Sequence, residues 1–125
     1  MKWVLRSAAL LTVAALILGI YSFREFSANT ANEYLTAGIT RSAIKFVREN
    51  PGQWPNSWKD LESEDNLDGQ VHFNFNLTSE QILKDRRLLD KAIEPRIRKW
   101  HTYPHHAKNM DELFEVLEEG RPKQE

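Results

Sequence analysis

Residues 7 to 23 read SAALLTVAALILGIYSF and contain no charged side chain. With Trp3 to Arg6 added, the apolar stretch is about 21 residues long, and a helix of that length matches the roughly 30 Å hydrocarbon core of a bilayer. Apolar side chains surround this helix, so none of its faces suits water. The sequence therefore predicts one transmembrane helix over residues 3–23, with the lipid bilayer as its partner.

A cleaved signal peptide is the competing interpretation, because Lys2 and Arg6 precede the apolar run. Cleavage requires small residues at the −3 and −1 positions. A cut after Ala28 would place Phe26 at −3, and a cut after Ala31 would place Asn29 there. The sequence thus favours an uncleaved anchor and leaves the cleaved signal as the alternative.

The charges that flank the span predict its orientation. Lys2, Arg6 and the terminal amine precede it, whereas Arg24 and Glu25 cancel just after it. The positive-inside rule then places the N-terminus in the cytoplasm and the rest of the chain across the membrane. The predicted location is the bacterial inner (cytoplasmic) membrane, with a periplasmic or extracytoplasmic C-terminal domain.

Three parts follow from this division. Residues 1–27 are the cytoplasmic start and transmembrane anchor, residues 28–120 a small soluble domain, and residues 121–125 a frayed tail.

The chain has 17 basic and 18 acidic side chains, and 14 and 17 remain once the first 27 residues are set aside. This net negative charge argues against a nucleic-acid partner, since such binding depends on clustered Lys and Arg. The lack of cysteine excludes disulfides, a thiol nucleophile and Cys-ligated zinc.

The helical pattern continues beyond the span. Small and apolar residues recur every three or four positions from Ala28 to Asn50, which predicts an amphipathic helix continuous with the anchor. Asn50-Pro51-Gly52 should end it. Ser57 is predicted to cap a short helix to Leu61, and the nearby Trp54 and Trp58 are predicted core residues rather than a partner-facing pair.

The remaining elements are shorter. Strict alternation predicts a strand over Gln70 to Leu77, and the pair Thr78 and Gln81 predicts a capped helix from Ser79 to about Ile93. A second strand is expected over Arg96 to Tyr103, and a last helix is expected from Asn109 to a stop at Gly120. The predicted fold class is α+β: the transmembrane helix continues into a long amphipathic helix, packed on a small antiparallel sheet with two or three further short helices.

The chain contains histidines and acidic residues, but not at the spacings of known metal-binding or catalytic motifs. Pro104 separates His101 from His105 and His106, so these histidines are read as a loop rather than a metal site. The acidic run 60–69 does not fit an EF-hand, and no nucleophile elbow or phosphate-binding glycine loop occurs. Lys84 to Lys99 carries a local net charge of +4, read as a solvated surface, with anionic lipid or an acidic partner as the alternative. No catalytic residue, cofactor or metal is predicted.

The layout resembles the type IV pilins and the pseudopilins of type II secretion. The closest likeness is Ala43 to Leu61, AIKFVRENPGQWPNSWKDL, which is similar to the segment where the long pilin helix ends and turns into a short helix. The resemblance does not include the prepilin processing motif, since no Gly precedes Ser7 and no acidic residue interrupts residues 7–23. It implies subunits that assemble through apolar helices and have no enzymatic activity.

The sequence therefore favours a non-enzymatic, pilin-like anchored protein whose exported domain contacts a protein partner or forms a homo-oligomer. The alternative is an anchored domain that binds a small ligand or a metal through His101, His105, His106 and the acidic loop. An enzyme ranks third, and it would need a pocket that joins His72 or His101 to a carboxylate such as Glu94.

Overall fold

The computed structural model describes residues 1–63, 67–96 and 106–121. Among these residues the chain forms four α-helices, a short 3₁₀-helix and a two-stranded antiparallel sheet. The α+β prediction is confirmed at this level. The predicted second strand over 96–103 lies outside the described residues except for Arg96, which is not in a strand.

Helix α1 is a single unbroken helix over Lys2–Glu49, as the sequence predicts. Its threonine hydroxyls turn back onto their own helix, because each donates to the carbonyl four residues earlier; Thr12 in the apolar segment bonds Ala8 O at 2.9 Å. This satisfies the hydroxyl within the helix itself, although its neighbours are apolar. The helix ends at Asn50, and Gly52 adopts φ +80°, a left-handed conformation that suits glycine.

An aromatic cluster follows this turn. Trp54 is buried, stacks on Phe73 at 5.4 Å between ring centroids, and donates its indole N–H to Asn74 O at 2.9 Å. Trp58 is half-buried and meets Phe75 edge-on at 5.1 Å. Both tryptophans therefore pack with the core as predicted.

The short helix after this turn differs from the prediction in one respect. It is a 3₁₀-helix over Trp58–Leu61, and the Ser57 side chain forms no capping bond. Instead, the Asp60 carboxylate accepts from the Asn56 backbone N–H at 2.8 Å. This bond satisfies a backbone N–H that precedes the helix, whereas a capping serine hydroxyl would have accepted from an N–H of the first turn.

The sheet is smaller than the alternation suggested. Strand β1 covers only Val71–Phe73 and pairs with β2, Ile93–Pro95, with His72 opposite Glu94. The predicted strand over 70–77 is cut short because the Asn74 side chain accepts from the Asn76 backbone N–H at 3.0 Å, which turns the chain. Phe75 and Leu77 still pack against the core, although they lie outside the strand.

The predicted helix over 79–93 is divided in two. Its capping box is confirmed: Thr78 accepts from Gln81 N, and the Gln81 side chain accepts from Thr78 N. Helix α2 covers Ser79–Lys84 and α3 covers Arg87–Ala92. Asp85 separates them, because its extended backbone ends α2 and its carboxylate accepts from Arg87 N at 3.1 Å at the start of α3.

The last helix begins earlier than predicted. Helix α4 covers His106–Glu119, so Asn109 lies within it rather than capping it, and Gly120 follows the helix as expected. Helices α1 and α4, the sheet and the aromatic cluster share one core. Its fully buried large side chains include Leu61, Ile82, Leu89, Ile93, Met110, Leu113 and Leu117.

Gly120 marks a close approach of two chain turns. A Cβ at this position would lie 2.9 Å from Gly52 N and 3.3 Å from Pro51 Cα, both backbone atoms that cannot move aside cheaply. We expect Gly120→Ala to destabilise the protein by about 1–3 kcal/mol in urea unfolding of the detergent-solubilised chain. Gly69→Ala is the control, because a Cβ there meets nothing within 4 Å. Equal effects of the two changes would contradict the prediction.

Candidate functional site

The candidate functional feature is α1, because its two halves have different surroundings. All side chains from residue 1 to 24 are exposed, and an 18-residue window of this helix has a mean hydropathy of 2.0. The first buried residue along the helix is Asn29, which is 4% exposed. One helix long and apolar enough to cross a membrane therefore occurs near the N-terminus of the described chain, as a membrane anchor or a signal sequence would.

Polar contacts hold the domain to α1 close to the apolar segment. Asn32 donates its amide N–H to Arg96 O at 2.7 Å, across 64 positions of sequence. Arg96 in turn donates its Nε–H to Asp68 O at 3.0 Å. Because Asn32 lies nine residues after Phe23, this contact sits about 13 Å along the helix from the end of the apolar segment. The domain is thus attached by a rigid helix rather than by a flexible linker.

Thr36 and Thr40 continue this polar row into the core. Both are fully buried, and their hydroxyls donate to Asn32 O at 2.6 Å and to Thr36 O at 2.8 Å. Their hydrogen bonds are therefore satisfied within α1, as burial requires. They serve the packing of the helix and offer no free donor to a ligand.

A shallow groove of about 260 Å³ lies on the other side of α1. Two of its basic groups are paired: Lys45 with Glu62 at 2.7 Å and Arg48 with Glu112 at 3.6 Å. The hydrogen bond to Glu62 raises the pKa of Lys45, which keeps that amine charged. The groove is lined by Arg41, Ile44, Lys45, Arg48, Glu49 and Glu112. The three basic and two acidic side chains that line it leave only a small excess of positive charge for a charged ligand.

Basic residues of the run from Lys84 to Lys99 are likewise paired with acidic neighbours. Lys84 pairs with Glu80 at 3.2 Å, and Arg87 with Asp85 at 3.0 Å. The hydrogen bond from Arg87 lowers the pKa of the Asp85 carboxyl. In addition, Arg86 pairs with Asp111 and lies 5.1 Å from the Phe114 ring centroid. The described part of the run is therefore largely paired; Arg98 and Lys99 lie outside it.

The histidines give no metal site within the described residues. His101 and His105 lie outside them, and His106 is half-buried at the start of α4. No group of three His, Asp or Glu residues with the geometry for a metal occurs in the described ranges. His72 and Glu94 are opposite each other in the sheet, with His72 half-buried and Glu94 exposed. Of the acidic run 60–69, residues 64–66 also lie outside the described residues.

His106 should make stability depend on pH. Burial lowers its pKa below the ordinary 6.5, outweighing a hydrogen bond with the Ile93 backbone and the charges of Glu94 and Asp90. The unfolded chain then binds a proton more readily, so stability is complete above about pH 6.5 and falls as the pH drops towards the folded-state pKa. We expect the midpoint temperature of thermal unfolding to decrease when the pH is lowered from about 7.5 to about 5.5. In His106→Gln this decrease should be smaller. The same pH dependence in both proteins would contradict this assignment.

Comparisons with protein families, curated proteins and solved structures give no match. The site must therefore be interpreted from its own geometry. Sequence reasoning identified the apolar segment and the amphipathic continuation, but it missed the contact of Asn32 with Arg96. It also missed Tyr34, whose side chain is 77% exposed on α1. An aromatic residue among the polar positions of the amphipathic pattern was the available signal.

Proposed function

We propose that this chain is a non-enzymatic, single-pass membrane protein, anchored in the bacterial inner membrane, whose extracytoplasmic domain makes protein contacts in the cell envelope. The observation that carries this proposal is the continuity of α1. The same helix exposes apolar side chains over residues 7–23 and then supplies Ile39, Ala43 and Val47 to the domain core. The pilin-like layout noted in the sequence agrees with this division of one helix between lipid and domain.

The anchor is preferred to a cleaved signal because Phe26 and Asn29, the residues at −3 of the two candidate cuts, do not suit cleavage. The two cuts considered from sequence, after Ala28 and after Ala31, fall where the buried face begins, since Asn29 is buried and Asn32 binds Arg96. Either cut would leave an α1 that starts at the domain and has lost its continuation. An intact helix instead gives the domain a fixed height above the bilayer, because a helix transmits position where a flexible linker would not.

That fixed height suits a partner in the same membrane. The contact of Asn32 with Arg96 lies about 13 Å beyond the apolar segment along the helix, just outside the headgroup layer of a typical bilayer. Partners held at the same height need no long search in three dimensions, because anchoring raises their effective concentration. We therefore infer contacts with other envelope proteins rather than capture of a freely diffusing ligand.

Protease accessibility tests the proposal. In intact cells the domain should resist added protease, and in spheroplasts it should be digested, leaving a membrane-protected N-terminal fragment that begins at or near Met1. The undigested chain should remain in the membrane pellet after carbonate extraction. A soluble mature chain that begins near residue 29 or 32 would instead identify a cleaved signal and overturn the anchor.

A further inference from the structure

We draw no further inference here: the strongest candidate, the stripe of small residues Ala8, Thr12, Ala15, Gly19 and Ser22 along the apolar half of α1, carries none because nothing in the structure shows what covers it.

Discussion

Trp54→Ala is expected to lower the free energy of unfolding by about 3–5 kcal/mol, a large part of the stability of a small domain. The indole is 4% exposed, stacks on Phe73 at 5.4 Å, and donates to Asn74 O at 2.9 Å. The alanine variant would lose this burial, leave a cavity beside Phe73, and deprive a carbonyl of its donor. Urea unfolding of the detergent-solubilised chain, followed by circular dichroism, measures the change.

Two variants separate the contributions. Trp54→Phe keeps an aromatic ring and removes the N–H, so we expect a smaller loss of about 1–2 kcal/mol. Trp58→Ala removes a half-buried ring that meets Phe75 edge-on. The free energy of unfolding should decrease clearly less in Trp58→Ala than in Trp54→Ala, because less buried apolar surface is lost. A larger effect at Trp58 than at Trp54 would show that the aromatic cluster is centred elsewhere.

Features set by neighbouring residues could be predicted from sequence. The end of α1 at Asn50-Pro51-Gly52 follows from local backbone chemistry, and the capping box of Thr78 and Gln81 requires residues only three positions apart. The buried faces could be predicted for the same reason. Ile82, Leu89, Ala92 and Ile93 are all buried as expected, although the helix that carries them is divided.

Features that depend on a choice between competing local conformations, or on distant contacts, could not be predicted. Asp85 is compatible with one long helix by sequence alone, and the break depends on its carboxylate bonding Arg87 N instead. Strand β1 ends just before Asn74, where the side chain accepts from the Asn76 N–H and the carbonyl accepts from Trp54, twenty residues away. An alternating pattern of apolar and polar residues does not reveal such hydrogen bonds. The start of α4 at His106 was missed because the predicted cap, Asn109, had the right residue type in the wrong place.

The candidate site illustrates the same limit. The charge of Lys84 to Lys99 could be counted from sequence, but its pairing with Glu80, Asp85 and Asp111 depends on the fold. The contact of Asn32 with Arg96 joins residues 64 positions apart. The exposed side of α1 likewise becomes known only once the domain covers the other side. Periodicity therefore identifies that a helix has two faces, whereas tertiary packing decides which residues remain for a partner.

Arginine in the middle of the apolar segment should abolish anchoring. Val13 and Leu16 are exposed near the centre of the predicted span, where each change to Arg disfavours insertion by about 3–4 kcal/mol. The double variant Val13→Arg, Leu16→Arg is thus penalised by about 6–8 kcal/mol, enough to reverse the insertion of a single span. We expect the full-length variant to leave the carbonate pellet and its domain to become inaccessible to protease in spheroplasts.

The controls determine whether lipid is the cause. Val13→Ala with Leu16→Ala keeps the segment uncharged and should remain anchored, because alanine is nearly neutral for insertion. Ser27→Arg with Ala31→Arg adds the same two charges beyond the apolar segment, at exposed positions of the same helix, and should also remain anchored. If the central arginines left the chain in the membrane pellet, burial of residues 3–23 in hydrocarbon would be contradicted. The apolar half of α1 would then have to pack against another protein, because a helix with no polar face does not remain exposed to water.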